Sequence, residues 1–469
     1  MSSSPMIRRI QKFSGSHNRF KIPKKGRIRI ALAVILLIAS IKFISSIPSE
    51  SAPVKKENEK KAKENLLSCV NSQQKPVMKI GKRLESKNLK KVIKTFGITL
   101  APEHIIVNGD DSLKLFLSVD TALQNYAGKL FRRYRPRYAA AAAIDPVTGR
   151  VLSLVSYTNK GEMNRGDDLY FKSIFPAASI FKTVTAAAAI EQANMHAGSE
   201  IAHSGRNHTL YRSQLERTLA RFNNISLERA FAYSINPVFG RIALFNLKRG
   251  TLEQYGRRFG FDSEIPFEFD TEISEMYSLD SDFAIAEMAS GFNQETSISP
   301  LFGSLIASAV SENGVIPRPS IIDSVYSREK ETNVYVRKRE IWRKAIEEST
   351  AHELKKIMSK VPVYGTARKS FRNLARSTRY NMYEYGGKTG SVDKEDLGRV
   401  DWFVGFARHP EKRDRRIAVG VVTTHSAYWT VRSSFIASEM MLDFIRGREN
   451  EAELLAAQAN SSDEGGNLQ

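Results

Sequence analysis

Ser179 and Lys182 stand three residues apart in PAASIFK, residues 176–182. Ser234-Ile235-Asn236 begins 55 positions after that serine, and Lys388 of Lys388-Thr389-Gly390-Ser391 lies 154 positions after Ser234. In order, these pieces hold a hydroxyl nucleophile, an amine that can serve as its base, a second hydroxyl for proton relay and a cationic strand for an anion. No histidine is needed. With Pro176 opening a helix, as its fixed φ suits, Ser179 falls in the first turns and Lys182 on the same face. A serine there feels the positive helix end, and a lysine one turn on can take its proton. The arrangement predicts nucleophilic catalysis, provided the other two pieces fold beside it. Singly, each piece has a plainer reading: a helix-start serine, a solvated lysine, a turn before a helix, the end of a surface strand.

The elements that must position them can be read coarsely. Asp120–Arg133 has helical spacing at Leu123, Tyr126, Ala127 and Leu130. Tyr138–Ile144, the turn signal Asp145-Pro146-Val147-Thr148-Gly149 and Arg150–Tyr157 predict a β-hairpin, although Ala139–Ala143 alone favours helix. Asp401–Ala407 and Arg416–Thr424 predict a second strand pair, followed by a helix over Val431–Arg446. Mostly helical segments lie between the hairpins, including Thr183–Ala193 and Leu301–Ser311. Strands at both ends with helices between them predict one antiparallel sheet built from distant segments and packed by helices. Trp402 and Phe403 read as core of a strand and His425 as structural, while Glu295 and Tyr364 could approach the cleft. The end, Ala457–Gln469, is polar and predicts disorder.

Composition narrows the class of function. The 469 residues carry a net charge of +21, of which +11 falls within residues 1–65. No aromatic-plus-basic module accompanies this charge, which argues against a nucleic-acid partner and leaves anionic surfaces such as a membrane or an acidic polymer. A single cysteine, Cys69, excludes an internal disulfide and a thiolate metal cluster. Residues 30–47 form an apolar run interrupted by Lys42, just sufficient to span a membrane. Nine Lys/Arg precede it and no acid occurs before Glu50, which predicts an uncleaved anchor with residues 1–29 as a basic cytoplasmic tail. A cleavable leader is the rival reading. Residues 48–66 read as a charged linker, 67–111 as a short segment of unknown role with an amphipathic helix near Leu84–Phe96, and 448–469 as a polar tail.

The ordered motifs resemble those of the penicillin-binding transpeptidases, serine acyltransferases with SxxK, SxN and KTG motifs. The flanks are similar as well: Ser118–Gln124, the hairpin IDPVTGRVLSLVS, Ser299-Pro300-Leu301 with Ser311-Glu312-Asn313-Gly314, and Tyr364-Gly365-Thr366-Ala367. The resemblance covers residues 112–447. It implies an α+β domain of the penicillin-binding/β-lactamase-like fold, facing the periplasmic side of the cytoplasmic membrane behind one transmembrane helix. It also implies a D,D-transpeptidase that cross-links peptidoglycan stem peptides ending in D-Ala-D-Ala, is inhibited by β-lactams and needs no cofactor or metal. Ser179 would be the nucleophile, Lys182 its base and Ser234 the proton shuttle. Asn236 would bind the substrate backbone, and Lys388, Thr389 and Ser391 the terminal carboxylate. Gly390 would let the strand edge approach substrate closely. The backbone N–H groups of Ser179 and Ser391 would form the oxyanion hole. Lys182 must be neutral to act, so burial and the charge of Lys388 are expected to lower its pKa. No glycosyltransferase motif is present, so a separate glycan polymerase is an expected partner. Ser391 replaces the commoner threonine and keeps the hydroxyl. A D,D-carboxypeptidase shares the same first step. A β-lactamase fits less well, since the E-x-x-L-N element is missing after Ser234. A non-catalytic penicillin sensor is the remaining alternative.

Overall fold

The computed structural model describes residues 113–465 except 164, 167, 278, 279, 378 and 379, together with His104–Val107 and Glu85, Ser86, Leu89, Lys90 and Ile93. The expected anchor, basic tail and charged linker lie outside the described residues. Among these residues, no helix is long and apolar enough to cross a membrane.

The expected sheet forms from both ends of the domain. Its strands are β1 (Tyr138–Ile144), β2 (Val151–Thr158), β3 (Glu384–Lys394), β4 (Gly398–Arg408) and β5 (Arg416–His425). They run antiparallel in the order β3-β4-β5-β1-β2, so β1 pairs with β5 across nearly the whole domain sequence. The hairpin turn behaves as its residues dictate: Asp145 Oδ1 accepts from the Val147 N–H at 2.8 Å, and Gly149 takes a φ of +78°. Ala139–Ala143 are strand despite their helix propensity, and all five are buried. Helices on both faces leave room only for small side chains there, and tertiary pairing overrides propensity.

The helices that frame the site are α1 (Thr121–Tyr134), α2 (Lys182–Ala193), α3 (Asn236–Phe245), α4 (Asp282–Ser290), α5 (Pro300–Ser311), α6 (Glu348–Val363) and α7 (Ser433–Gly465). Helix α5 lies against β5, β1 and β4, and α7 packs on β5 and β4. Asp120 caps α1 through Leu123 N–H at 3.0 Å, and Ser299 caps α5 through Phe302 N–H at 3.2 Å with Pro300 as its first residue.

The helical segments expected between the hairpins form, Thr183–Ala193 within α2 and Leu301–Ser311 within α5. The same region also holds two strands that were not expected, Ile322–Ser327 and Thr332–Val336, which join Leu113–Leu117 and His104–Val107 in a four-stranded antiparallel sheet. The charged run Arg328–Glu331 forms their hairpin turn, and its neighbours alternate too weakly to be read as strands. Helix α7 continues to Gly465, through most of the tail expected to be disordered. Its Ala, Glu, Leu and Gln residues are good helix formers, and composition by polarity alone hides that.

Candidate active site

Pro176 does not open a helix. Phe175–Pro176 pairs antiparallel with Ser297–Ile298, so the chain is extended through the proline, and Ala177 N–H donates to the Thr296 carbonyl at 2.7 Å. The Trp402 indole N–H holds the Pro176 carbonyl at 2.8 Å. Chain direction then reverses at Ala178, whose φ of +48° is unusual for a residue with a side chain. A 3₁₀ turn over Ala178–Phe181 leads into α2 at Lys182. With three residues per turn, this places Lys182 directly over Ser179. The Lys182 Nζ–Ser179 Oγ distance is 2.8 Å.

Lys182 is completely buried, and its Nζ has three partners: Ser179 Oγ, Asn236 Oδ1 at 2.7 Å and the Ser290 carbonyl. The Asn236 and Ser290 oxygens can only accept. A neutral amine has two hydrogens for those two oxygens, leaving its lone pair for the Ser179 hydroxyl. Burial, and secondarily the charge of Lys388, holds the Lys182 pKa well below its ordinary value. Geometry and electrostatics therefore both favour a neutral Lys182 within hydrogen-bond reach of the Ser179 hydroxyl.

The second piece is a tight corner between helices. Ser234 sits between Leu227–Ala232 and α3 with a φ of +58°, and Asn236 opens α3 ahead of Pro237. Asn236 N–H donates to the Asn207 carbonyl at 2.7 Å. Positive φ at Ala178 and Ser234, both beside the reacting groups, is strain held by surrounding packing. The third piece is β3, the edge strand of the sheet. Lys388 is completely buried, and its Nζ donates to Ser234 Oγ at 2.9 Å and to the Thr389 carbonyl at 2.8 Å. Burial pushes its pKa down to about 7. Lys182 and Lys388 lie 5.5 and 5.4 Å from the ring centres of Phe239 and Phe231, where π faces replace some of the lost water.

Gly390 makes its close approach to the turn that carries Ser179: a Cβ there would stand 3.2 Å from both the Ala177 oxygen and the Ala178 Cβ. Its lack of a side chain brings β3 against Ser179. Ser391 is exposed, and its hydroxyl reaches back to the Val400 carbonyl at 3.4 Å. Thr389 is half-buried, with its hydroxyl 2.5 Å from that of Thr366. All three sequence pieces thus meet at one site.

Several participants escaped the sequence reading. Ser290 acts through its carbonyl, which no residue type announces. The Asn207-His208 loop braces the Ser234 corner, with the His208 pKa lowered chiefly by burial and the imidazole bonded to the Ser234 backbone. Only its position in the fold identifies it. Tyr364 turns away: its hydroxyl donates to Glu228 Oε1 at 3.2 Å, and burial together with that carboxylate pushes its pKa up to about 12. Glu295 accepts from the neighbouring Gln294 N–H. Trp402, Phe403 and His425 are buried, as expected of core positions. Among the described residues, no group of His, Cys, Asp or Glu could hold a metal ion.

Comparison with known proteins gives the family. The family model for the penicillin-binding protein transpeptidase domain matches residues 139–442, spanning all three motifs. The chain belongs to this family. It is 25% identical over 335 residues to penicillin-binding protein 3 of Bacillus subtilis, which covers 63% of this chain and 46% of that relative. The chain therefore spans about half the length of the curated relative it matches. Among solved structures, the D,D-transpeptidase domain of a peptidoglycan glycosyltransferase from Eggerthella lenta superposes with a TM-score of 0.60 at 20% identity, covering 76% of this chain and 87% of that one. An imipenem acyl-enzyme complex of penicillin-binding protein A from Mycobacterium tuberculosis gives a TM-score of 0.55 at 18% identity, covering 70% and 79%. The fold expectation from sequence is met: an antiparallel sheet packed by helices, shared with penicillin-binding transpeptidase domains.

Proposed function

We propose that this protein is a D,D-transpeptidase that cross-links peptidoglycan stem peptides through a serine acyl-enzyme. One observation carries the reading: the buried Lys182 Nζ lies 2.8 Å from Ser179 Oγ while two acceptor-only oxygens, Asn236 Oδ1 and the Ser290 carbonyl, hold it in place. In the forward step, Ser179 Oγ attacks the carbonyl of the penultimate D-Ala while its proton passes to Lys182. The developing oxyanion lies against the backbone N–H groups of Ser179 and Ser391, a term of several kcal/mol in such sites. As the amide C–N bond breaks, Ser234, hydrogen-bonded to Lys388, gives its proton to the departing amine of the terminal D-Ala and is refilled by the proton that Lys182 took from Ser179. Lys388, Thr389 and Ser391 hold the terminal carboxylate, and Asn236 holds the substrate backbone. An acceptor amine then attacks the ester and frees Ser179. Residues 30–47 anchor the chain so that this cleft faces the cell wall, and a separate enzyme polymerises the glycan.

Labelled penicillin tests the first step, since the relative from M. tuberculosis forms β-lactam acyl-enzymes. The protein should take the label in a long-lived ester, and Ser179→Ala should take none. Label retained by that variant refutes the assignment of the nucleophile. Turnover of a stem-peptide donor with and without a D-amino-acid acceptor tests the second step: transfer to the amine is expected, and release to water alone would make the enzyme a carboxypeptidase.

A further inference from the structure

Thr366 contacts both the helix that leads into Ser234 and the strand that carries Lys388. It follows α6, whose end is closed by Gly365 N–H to the Lys360 carbonyl at 3.1 Å and Ala367 N–H to the Val361 carbonyl at 3.2 Å. The segment is pressed onto the helix Leu227–Ala232 that leads into Ser234. Thr366 N–H donates to the Ala232 carbonyl at 3.1 Å, and a Cβ on Gly365 would stand 2.4 Å from that same oxygen. Tyr364 secures the other side through Glu228 and a ring contact with Tyr233 at 5.8 Å. From this fixed backbone the exposed Thr366 hydroxyl reaches Thr389, 2.5 Å away and next to Lys388.

We propose that Thr366 is a positioning residue for carboxylate recognition, donating its hydroxyl hydrogen to Thr389 so that Thr389 presents its own hydrogen to the substrate's terminal carboxylate. This rests on the acyl-transfer reading of the cleft. Each threonine hydroxyl has one hydrogen and can accept others. Unassisted, the Thr389 rotor samples orientations that aim a lone pair at the incoming anion. With Thr366 donating, one lone pair of Thr389 is occupied, its O–H points outward, and the donated bond polarises it further. Charge-assisted bonds gain most from such polarisation.

The test pairs two acyl donors that differ only at the terminus, one a free carboxylate and the other a carboxamide. Acylation efficiency of Ser179 is measured for each with wild type, Thr366→Val and Thr366→Ser. Valine keeps the shape and removes the oxygen. It should lower acylation by the carboxylate donor roughly tenfold, the scale of one bond to a charged group, and leave the carboxamide donor within about twofold. Serine should restore most of the carboxylate preference. If valine impairs folding, Thr366→Ala carries the same expectation. Equal losses with both donors, no loss with valine, or no rescue by serine overturns the proposal. A wild type that forms no ester at Ser179 instead overturns the acyl-transfer reading itself, and this role with it.

Discussion

Charge is the variable on which the proposed role of Lys182 as base depends. In water its amine would be protonated at neutral pH and could not accept the Ser179 proton. Complete burial removes the solvation that favours the ammonium form, and Lys388 adds repulsion from 154 positions beyond the Ser234 that it contacts. The sign follows directly. A nearby cation lowers the Lys182 pKa, so removing that cation raises it. Lys388→Met should therefore move the acid limb of penicillin acylation toward higher pH, besides lowering the rate through weaker carboxylate binding. A pH profile of acylation reads this shift; a limb that stays put or moves acidward would show that Lys388 does not tune the base.

Between elements, Asp401 joins a strand to a helix. It lies on β4 opposite Ser391 of β3 and is buried. Its Oδ2 accepts from Ser433 N–H at the start of α7 at 2.7 Å, while the Ser433 hydroxyl donates to the Asp401 carbonyl at 2.7 Å. Burial nevertheless raises its pKa from 3.8 to about 7, more than the helix end and Arg432 can offset. Between those two values the folded chain keeps a proton that the unfolded chain has released, so stability falls as pH rises through that window. Asp401→Asn cannot ionise. It should gain roughly 2 to 4 kcal/mol on wild type between pH 4 and pH 8, measured by urea unfolding at both values. A constant difference would refute the account. This capping contact was not legible beforehand, because strand and helix start are 32 residues apart and neither carries a capping signature alone. By contrast, the hairpin at Asp145–Gly149 was legible, since turn chemistry depends on neighbours only a few residues away.

For the whole molecule, the sequence divides into a basic, apolar N-terminal stretch and a catalytic domain. Deleting residues 30–47 should move the protein from the membrane pellet to the soluble fraction while penicillin still labels Ser179. Membrane association that survives the deletion would point to another attachment. What the amino-acid order determined by itself was local or categorical: a serine and lysine one turn apart, the motifs in succession, two hairpins, and an unopposed basic stretch before an apolar run. Each depends on residue type and short separation, which the chain carries whatever its fold. Tertiary structure decided that Pro176 ends a strand, that the Ser290 carbonyl meets Lys182, and that Thr366 meets Thr389. It also decided that both lysines lose their water. Solvent exclusion and contacts between distant segments set these pKa values and hydrogen-bond directions, and they exist only once the chain is packed.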